Sequence, residues 1–227
     1  MTSRRRIAVL AGLLLAGPAL AGEQRYEPLS ASVRANLHRS VADQASPRRA
    51  FFDGDAGAAW LAEMSKRLSR HMPDAEEREM FLTTVHYEAS RAGLDPQMVL
   101  GVIQVESRFR KYAVSRAGAR GYMQVMPFWV ELIGEERQNL FSLRTNLRYG
   151  CTILRHYLDI ERGNLFRALG RYNGTLGKSK YPEKVLQAWR ERWDYPDSGV
   201  KVRRATADAP AAGRATRRAP TVYMGDG

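Results

Sequence analysis

Asp95-Pro96-Gln97-Met98-Val99-Leu100-Gly101-Val102-Ile103-Gln104-Val105-Glu106-Ser107 is the stretch on which the fold turns. An acid that can cap, followed by proline at the first helical position, predicts a helix start at Asp95-Pro96. Met98–Val105 is apolar almost all round, which predicts a central, buried helix. Glu106 closes it. Positions three, four and seven back along a helix share one face, so Ile103, Val102 and Val99 share a face with Glu106. The carboxyl extends an apolar stripe. Burial disfavours the charged form of such a group, and an acid that stays protonated near neutral pH can donate to a leaving oxygen. The helix alone leaves two readings open: a catalytic acid, or a structural Glu paired with Arg108 or Arg110.

Outward from this helix the pattern stays helical. Ala56–His71 sets Trp60, Leu61, Met64 and Leu68 on one stripe, and Pro73 interrupts it. Asp74, Glu76 and Glu77 place acids at the positive end of the next helix. Phe81, Leu82, Val85 and Ala89 give that helix its apolar face, and Gly93 is placed to end it. Tyr112–Gly121 is a glycine-containing loop. Pro127 starts a short helix to about Leu132. Asn146–Asp159, Leu165–Tyr172 and Pro182–Trp193 are further helices, and Ser30–Val41 is a short one. Strand-like alternation is scarce. The expected fold class is all-α, a compact bundle of short helices.

The ends read differently. Met1–Arg6 has three arginines and no acid, Ile7–Leu20 is apolar, and Ala19-Leu20-Ala21 has the small-x-small pattern of a cleavage site. Residues 1–21 are therefore expected to be a signal peptide. Their removal takes the net charge from +12 to +9, still basic. Export argues against nucleic acid as a partner and points to the exported side of the cell envelope, the periplasm included, whose glycan mesh carries acidic peptides. Residues 198–227 hold six basic and two acidic residues among Ala, Pro, Gly and Thr, which predicts a disordered basic tail. The expected domains are residues 22–73 as a helical extension and 74–197 as the main domain. One cysteine, Cys151, excludes an intrachain disulfide framework, and it reads as a buried small hydrophobe. His38, His71, His86 and His156 lack metal-ligand spacing, so no metal or cofactor is expected.

Glu106-Ser107 is followed by Gly118-Ala119-Arg120-Gly121-Tyr122-Met123-Gln124-Val125-Met126-Pro127. Asn146, Gly150 and Ala168-Leu169-Gly170-Arg171-Tyr172-Asn173-Gly174 come later. In order and spacing these motifs resemble the soluble lytic transglycosylase (SLT) domain, a lysozyme-like family acting on peptidoglycan, over roughly residues 81–193. The resemblance implies non-hydrolytic cleavage of the β-1,4 bond between N-acetylmuramic acid and N-acetylglucosamine. One glutamic acid protonates the glycosidic oxygen and then takes the proton of the muramic C6 hydroxyl, leaving a 1,6-anhydro end. It casts Glu106 as catalytic and Tyr172 as the phenol that orients it. Ser115, Gln124, Met126, Asn173 and Tyr181 become substrate-binding residues, with Ser107 and Gly121 in support. Met126 reads equally well as core. Tyr122 and Gly174-Thr175 depart from the family pattern. Glycan strands are the expected partner and a monomer the expected state, with envelope assembly machinery a further candidate partner. A hydrolytic muramidase on the same fold and a catalytically silent wall-binding protein are the alternatives.

Overall fold

The computed structural model describes residues 24–42, 54–135 and 138–196. The expected signal peptide, with its expected cleavage site, and the expected basic tail lie outside the described residues. Among the described residues eight α-helices follow in order: α1 Ala31–Ala42, α2 Asp55–Leu68, α3 Ala75–Arg91, α4 Pro96–Glu106, α5 Phe128–Ile133, α6 Leu143–Ile160, α7 Leu165–Tyr172 and α8 Lys180–Ala188. A π-helical turn, Trp189–Trp193, follows α8. Among the described residues β pairing is limited to two isolated bridges, Val114 with Arg120 and Arg120 with Val125. The all-α expectation is borne out. No described helix is long and apolar enough to cross a membrane.

Local chemistry sets the helix ends. The Asp74 side chain accepts from the Glu77 amide at 2.7 Å to start α3. That helix ends where Gly93 takes φ +65°, with the Gly93 amide on the Ser90 carbonyl and the Leu94 amide on the Ala89 carbonyl. These two bonds form a Schellman motif, which needs a left-handed residue at that place. Asp95 then accepts from the Gln97 and Met98 amides at 2.7 and 3.3 Å, with Pro96 in the first turn, and starts α4.

Helix α4 is the centre of the bundle, flanked by α3, α8 and the π-helical turn. Val99, Leu100, Val102 and Ile103 are fully buried, as the all-round apolar pattern predicts. Gly101 lets α8 come close, because a Cβ there would lie 3.2 Å from the Trp189 amide nitrogen and the Val185 carbonyl. Helices α1 and α2 join the same core, contributing Leu37, Val41, Trp60, Met64 and Leu68. Trp60 meets His86 of α3 edge-on at 5.1 Å. The expected boundary after residue 73 therefore separates chain segments, not cores. The expected helix from Pro182 to Trp193 begins two residues earlier and loosens into the π-helical turn at Trp189. Trp193 sits there, buried, with its indole N–H on Gln104 Oε1 at 2.7 Å.

Helices α6 and α7 are tied at their junction. Arg171 donates to Glu161 Oε1 at 2.8 Å and to Glu27 Oε1 at 2.9 Å, and Arg167 donates to Glu161 Oε2 at 2.5 Å. Burial raises the Glu161 pKa, but the hydrogen bonds from Arg167 and Arg171 outweigh it and leave the carboxyl below its ordinary value. A carboxyl with a depressed folded pKa stabilises the fold above its unfolded value, near 4.5, and loses that contribution as pH falls through the folded value. Urea midpoints should show Glu161→Gln less stable than the parent at pH 7, with the gap narrowing steadily below pH 4.5.

Candidate active site

Glu106 is the last residue of α4, and only 1% of it is exposed. Its face partners Val99, Val102 and Ile103 are completely buried. The chain turns sharply immediately after it. Arg108 and Phe109 have φ of 53° and 63°, a left-handed pair of non-glycine residues that costs roughly 1–3 kcal/mol each. Phe109 is held there by Phe81 at 6.0 Å and Trp193 at 5.3 Å. The Ser107 hydroxyl donates to the Ile103 carbonyl at 3.2 Å and closes the helix end.

The phenol that meets Glu106 is Tyr181. Its hydroxyl, in the first turn of α8, donates to Glu106 Oε1 at 2.6 Å. Burial first, and then the Glu106 carboxyl, push the Tyr181 phenol well above its usual range, so it remains a donor at any working pH. Tyr172 is corrected accordingly. It ends α7, fully buried, and its hydroxyl donates to the Met123 carbonyl at 2.7 Å. It lies within the electrostatic reach of Glu106, which with burial raises its pKa, but its proton satisfies a backbone carbonyl that would otherwise be stranded. Next to it, Asn173 is 5% exposed. Its Oδ1 accepts from the Thr175 hydroxyl at 3.2 Å, and its Nδ2 has no partner.

The glycine-containing loop is pinned from α6. Asn146, fully buried, accepts from the Met123 amide and donates to the carbonyls of Arg120 and Leu140, each at 2.8 Å. Gly121 has φ +76°, and a Cβ there would strike the Asn146 amide and come 2.6 Å from the Leu140 carbonyl. Only glycine fits that close approach. Gln124 is 1% exposed, at φ 50°, and its amide nitrogen donates to the carbonyls of Ala113 and Gly121 at 3.1 and 2.8 Å. The donor half of the contact expected from Gln124 is therefore taken by the loop itself. Ser115 Oγ accepts from the Ala117 and Ala119 amides at 3.2 and 3.0 Å and shapes the turn. Met126 is half-buried beside this loop and packs against the core. The Tyr122 ring lies in the core against Phe81 at 4.9 Å.

Two residues, and the role of a third, were not apparent in the sequence. Gln24, far upstream, reaches this region: 4% exposed, it accepts from the Met126 amide at 3.2 Å and lies beside Tyr172. Tyr181 takes the place given to Tyr172. A second buried carboxylate, Glu88 of α3, is ion-paired with Arg148 at 2.9 Å and Arg91 at 3.2 Å, with Arg144 at 3.6 Å. Nothing in the local pattern around Glu88 marks it, because Arg144 and Arg148 arrive from α6. Cys151 is buried with its thiol pushed up by desolvation, which leaves a poor nucleophile. Two surface cavities, of about 310 and 510 Å³, have linings that include none of Glu106, Tyr172 or Tyr181. Among the described residues no group of His, Cys, Asp and Glu could hold a metal ion.

A buried carboxyl held by a phenol at a helix end is an arrangement that proton transfer can use. Residues 83–192, a little under half of the chain, match the model of the transglycosylase SLT domain. A transglycosylase of Enterobacteria phage PRD1 is 31% identical over 137 residues, which are 57% of this chain and 50% of the phage protein. Membrane-bound lytic murein transglycosylase C of Actinobacillus pleuropneumoniae is 49% identical over 47 residues, 21% of this chain and 13% of that protein. An X-ray structure of an inactive mutant of lytic transglycosylase Slt from Pseudomonas aeruginosa superposes with a TM-score of 0.39 at 19% identity. That match covers 79% of this chain and 36% of the other. The chain thus spans half or less of the length of these relatives.

Asn146→Ala should strand three backbone groups, two of them buried, and Gly121→Ala should drive a methyl into the same contact. Each is expected to lower the unfolding free energy by about 3 kcal/mol, read from urea titration. A loss under about 1 kcal/mol for Asn146→Ala would show that the loop stands without that pin.

Proposed function

We propose that this chain is a lytic transglycosylase that cleaves the β-1,4 bond between N-acetylmuramic acid and N-acetylglucosamine in peptidoglycan without consuming water. The observation that carries the proposal is the Glu106–Tyr181 contact at 2.6 Å, buried at the end of α4 within the SLT domain. The relatives named for murein cleavage support the substrate class. Export through the leader at residues 1–21 and work in the periplasm or cell envelope belong to the same proposal, because that is where the glycan lies.

The reaction needs one group that gives a proton and later takes one back. Glu106 as the neutral acid protonates the glycosidic oxygen as the bond to the anomeric carbon breaks. The glucosamine end leaves with that proton on its 4-hydroxyl. The carboxylate left on Glu106 accepts the proton of the muramic C6 hydroxyl as that oxygen bonds to the anomeric carbon. The ring closes as a 1,6-anhydro sugar, and Glu106 is neutral again. Tyr181 suits both halves of the cycle. A phenol with a raised pKa donates to Oε1 whether Glu106 is acid or carboxylate, and so fixes the carboxyl plane throughout. The substrate's own N-acetyl group can stabilise the cationic anomeric carbon, so a second acidic side chain is not required. Met126, half-buried beside the loop, and the unpartnered amide of Asn173 are the proposed glycan contacts, with the free hydrogen-bonding capacity of Ser115. Tyr172 and Gln124 brace the backbone that carries them.

Digestion of purified murein followed by mass spectrometry tests the chemistry. Anhydro ends are expected, and reducing ends would assign a hydrolytic muramidase instead. Glu106→Gln should reduce muropeptide release by about a thousandfold. No release from either would leave a wall-binding protein, and equal release from both would rule out Glu106 as the acid. Tyr181→Phe should lower kcat by about 10- to 100-fold with KM little changed, because it removes orientation and not affinity. Tyr172→Phe should act mainly on thermal stability.

A further inference from the structure

The segment from Arg108 to Arg120 leads from Glu106 into the glycine-containing loop. It carries five cations, Arg108, Arg110, Lys111, Arg116 and Arg120, and no Asp or Glu lies between Glu106 and Glu131. The four arginines are exposed and Lys111 is half-buried. Among the described residues none of the five is in an ion pair. Arg110 donates Nε to the Ser107 carbonyl at 3.0 Å, a bond that leaves its charge uncompensated. Glu77 of α3 lies within electrostatic reach of Tyr122 but forms no ion pair with the segment. Arginines on α2, α3, α6 and α7 behave differently, being paired with Glu63, Glu88, Asp159 and Glu161. The same segment presents two of the most exposed large apolar side chains among the described residues, Tyr112 at 71% and Val114 at 61%. The Tyr112 ring lies 5.8 Å from Phe141 and 5.3 Å from the Lys111 ammonium. The backbone beneath is fixed, with the Gly121 amide on the Ala113 carbonyl at 2.9 Å and the Ser115 amide on the Ala119 carbonyl at 3.0 Å.

Cations gathered without acids create a positive potential that draws an anion. An exposed ring among them adds a surface for apolar groups. Ser115, a proposed glycan contact, stands in the middle of this segment, so a strand laid on it brings along whatever its muramic sugars bear. The acidic peptides of murein combine carboxylates with alanine methyl groups on a short chain, which is the chemistry this surface complements. Nucleic acid would want a charged track with rings at the spacing of successive bases, and one short loop with a single exposed ring does not provide it. We propose that the segment from Arg108 to Arg120 is a binding site for the carboxylates of the stem peptide, and that it makes the protein prefer peptide-bearing strands to bare ones. Lys111 and Arg116, which bracket Tyr112 and Ser115, take the carboxylates, and Tyr112 covers the methyl groups. This inference rests on the murein reading given above and names the part of murein that is selected.

Binding is measured by calorimetry on the full chain carrying Glu106→Gln, so that nothing turns over, with thermal melts confirming the fold of each variant. The probes are soluble murein strands with tetrapeptide stems, and the same strands after an amidase has removed the peptides and left a lactyl carboxylate on each muramic sugar. Lys111→Ala with Arg116→Ala should weaken binding of the peptide-bearing strands by about tenfold and that of the bare strands by less than about twofold. Arg34→Ala with Lys184→Ala removes the same charge from exposed positions on α1 and α8 and should change neither. Equal losses from the two double variants would reduce the effect to net charge and overturn the proposal, as would equal affinity of the Glu106→Gln chain for both kinds of strand. Duplex DNA held as tightly as the peptide-bearing strands would also overturn it, and would make the segment a general polyanion surface. If the parent releases anhydromuropeptides but the binding comparisons fail, only this inference falls. If the parent releases none yet peptide-bearing strands are held selectively through Lys111 and Arg116, only the enzymatic reading falls.

Discussion

A carboxyl group that is 99% out of solvent at the end of an apolar helix needs a partner, since burying a polar group without one costs several kcal/mol. Tyr181 supplies that partner at Oε1, across a separation of 75 residues. The contact requires α4 and α8 to lie close together, and Gly101 provides the space by presenting no side chain to Trp189 and Val185. The chain then leaves Glu106 through the left-handed turn at Arg108 and Phe109. Helix capping at Asp95 fixes where α4 begins, and hence where its eleventh residue falls. Each of these features is local, but they converge on one hydrogen bond.

The chain buries a second carboxylate to the same depth, and the comparison separates two uses of the same side chain. Glu88 is ion-paired with guanidinium groups from α3 and α6. It joins two helices and can do little else. Glu106 meets a neutral hydroxyl at Oε1, and a neutral donor tolerates both protonation states of the group it holds. The second arrangement suits the proposed proton transfer. The chemistry of the surroundings, more than burial, distinguishes a catalytic carboxyl from a structural one.

This also explains what could be read from the sequence. Helix periodicity and caps depend on near neighbours, so α4, α7 and the apolar faces of α2 and α3 were legible, and so was the burial of Glu106. The partners of buried polar groups depend on helix crossings, which no local pattern encodes. Tyr172 and Tyr181 lie nine residues apart in similar surroundings, and only the path of α8 along α4 gives the carboxyl to Tyr181. The same limit hid the arginines around Glu88 and the return of Gln24 to Met126. Gln124 shows a further case. The motif marks the residue correctly as important, but its amide holds the loop together and its donors are not offered outward.

Strain is concentrated where the proposed chemistry would occur. Three of the four non-glycine residues with positive φ among those described are Arg108, Phe109 and Gln124, on either side of the glycine-containing loop that follows Glu106. Backbone in this state persists only where packing over-determines it. Here the constraints are the Phe81–Phe109–Trp193 ring contacts on one side and the Asn146 and Gln124 hydrogen bonds on the other. A relaxed turn would let the end of α4 fray, and the carboxyl would then gain water and rotational freedom. A group that must give and retake one proton at two different oxygens within a single turnover cannot have that freedom, because misplacement by about 1 Å costs on the order of a hundredfold in rate. The strained loop is therefore best understood as the structural cost of keeping Glu106 still.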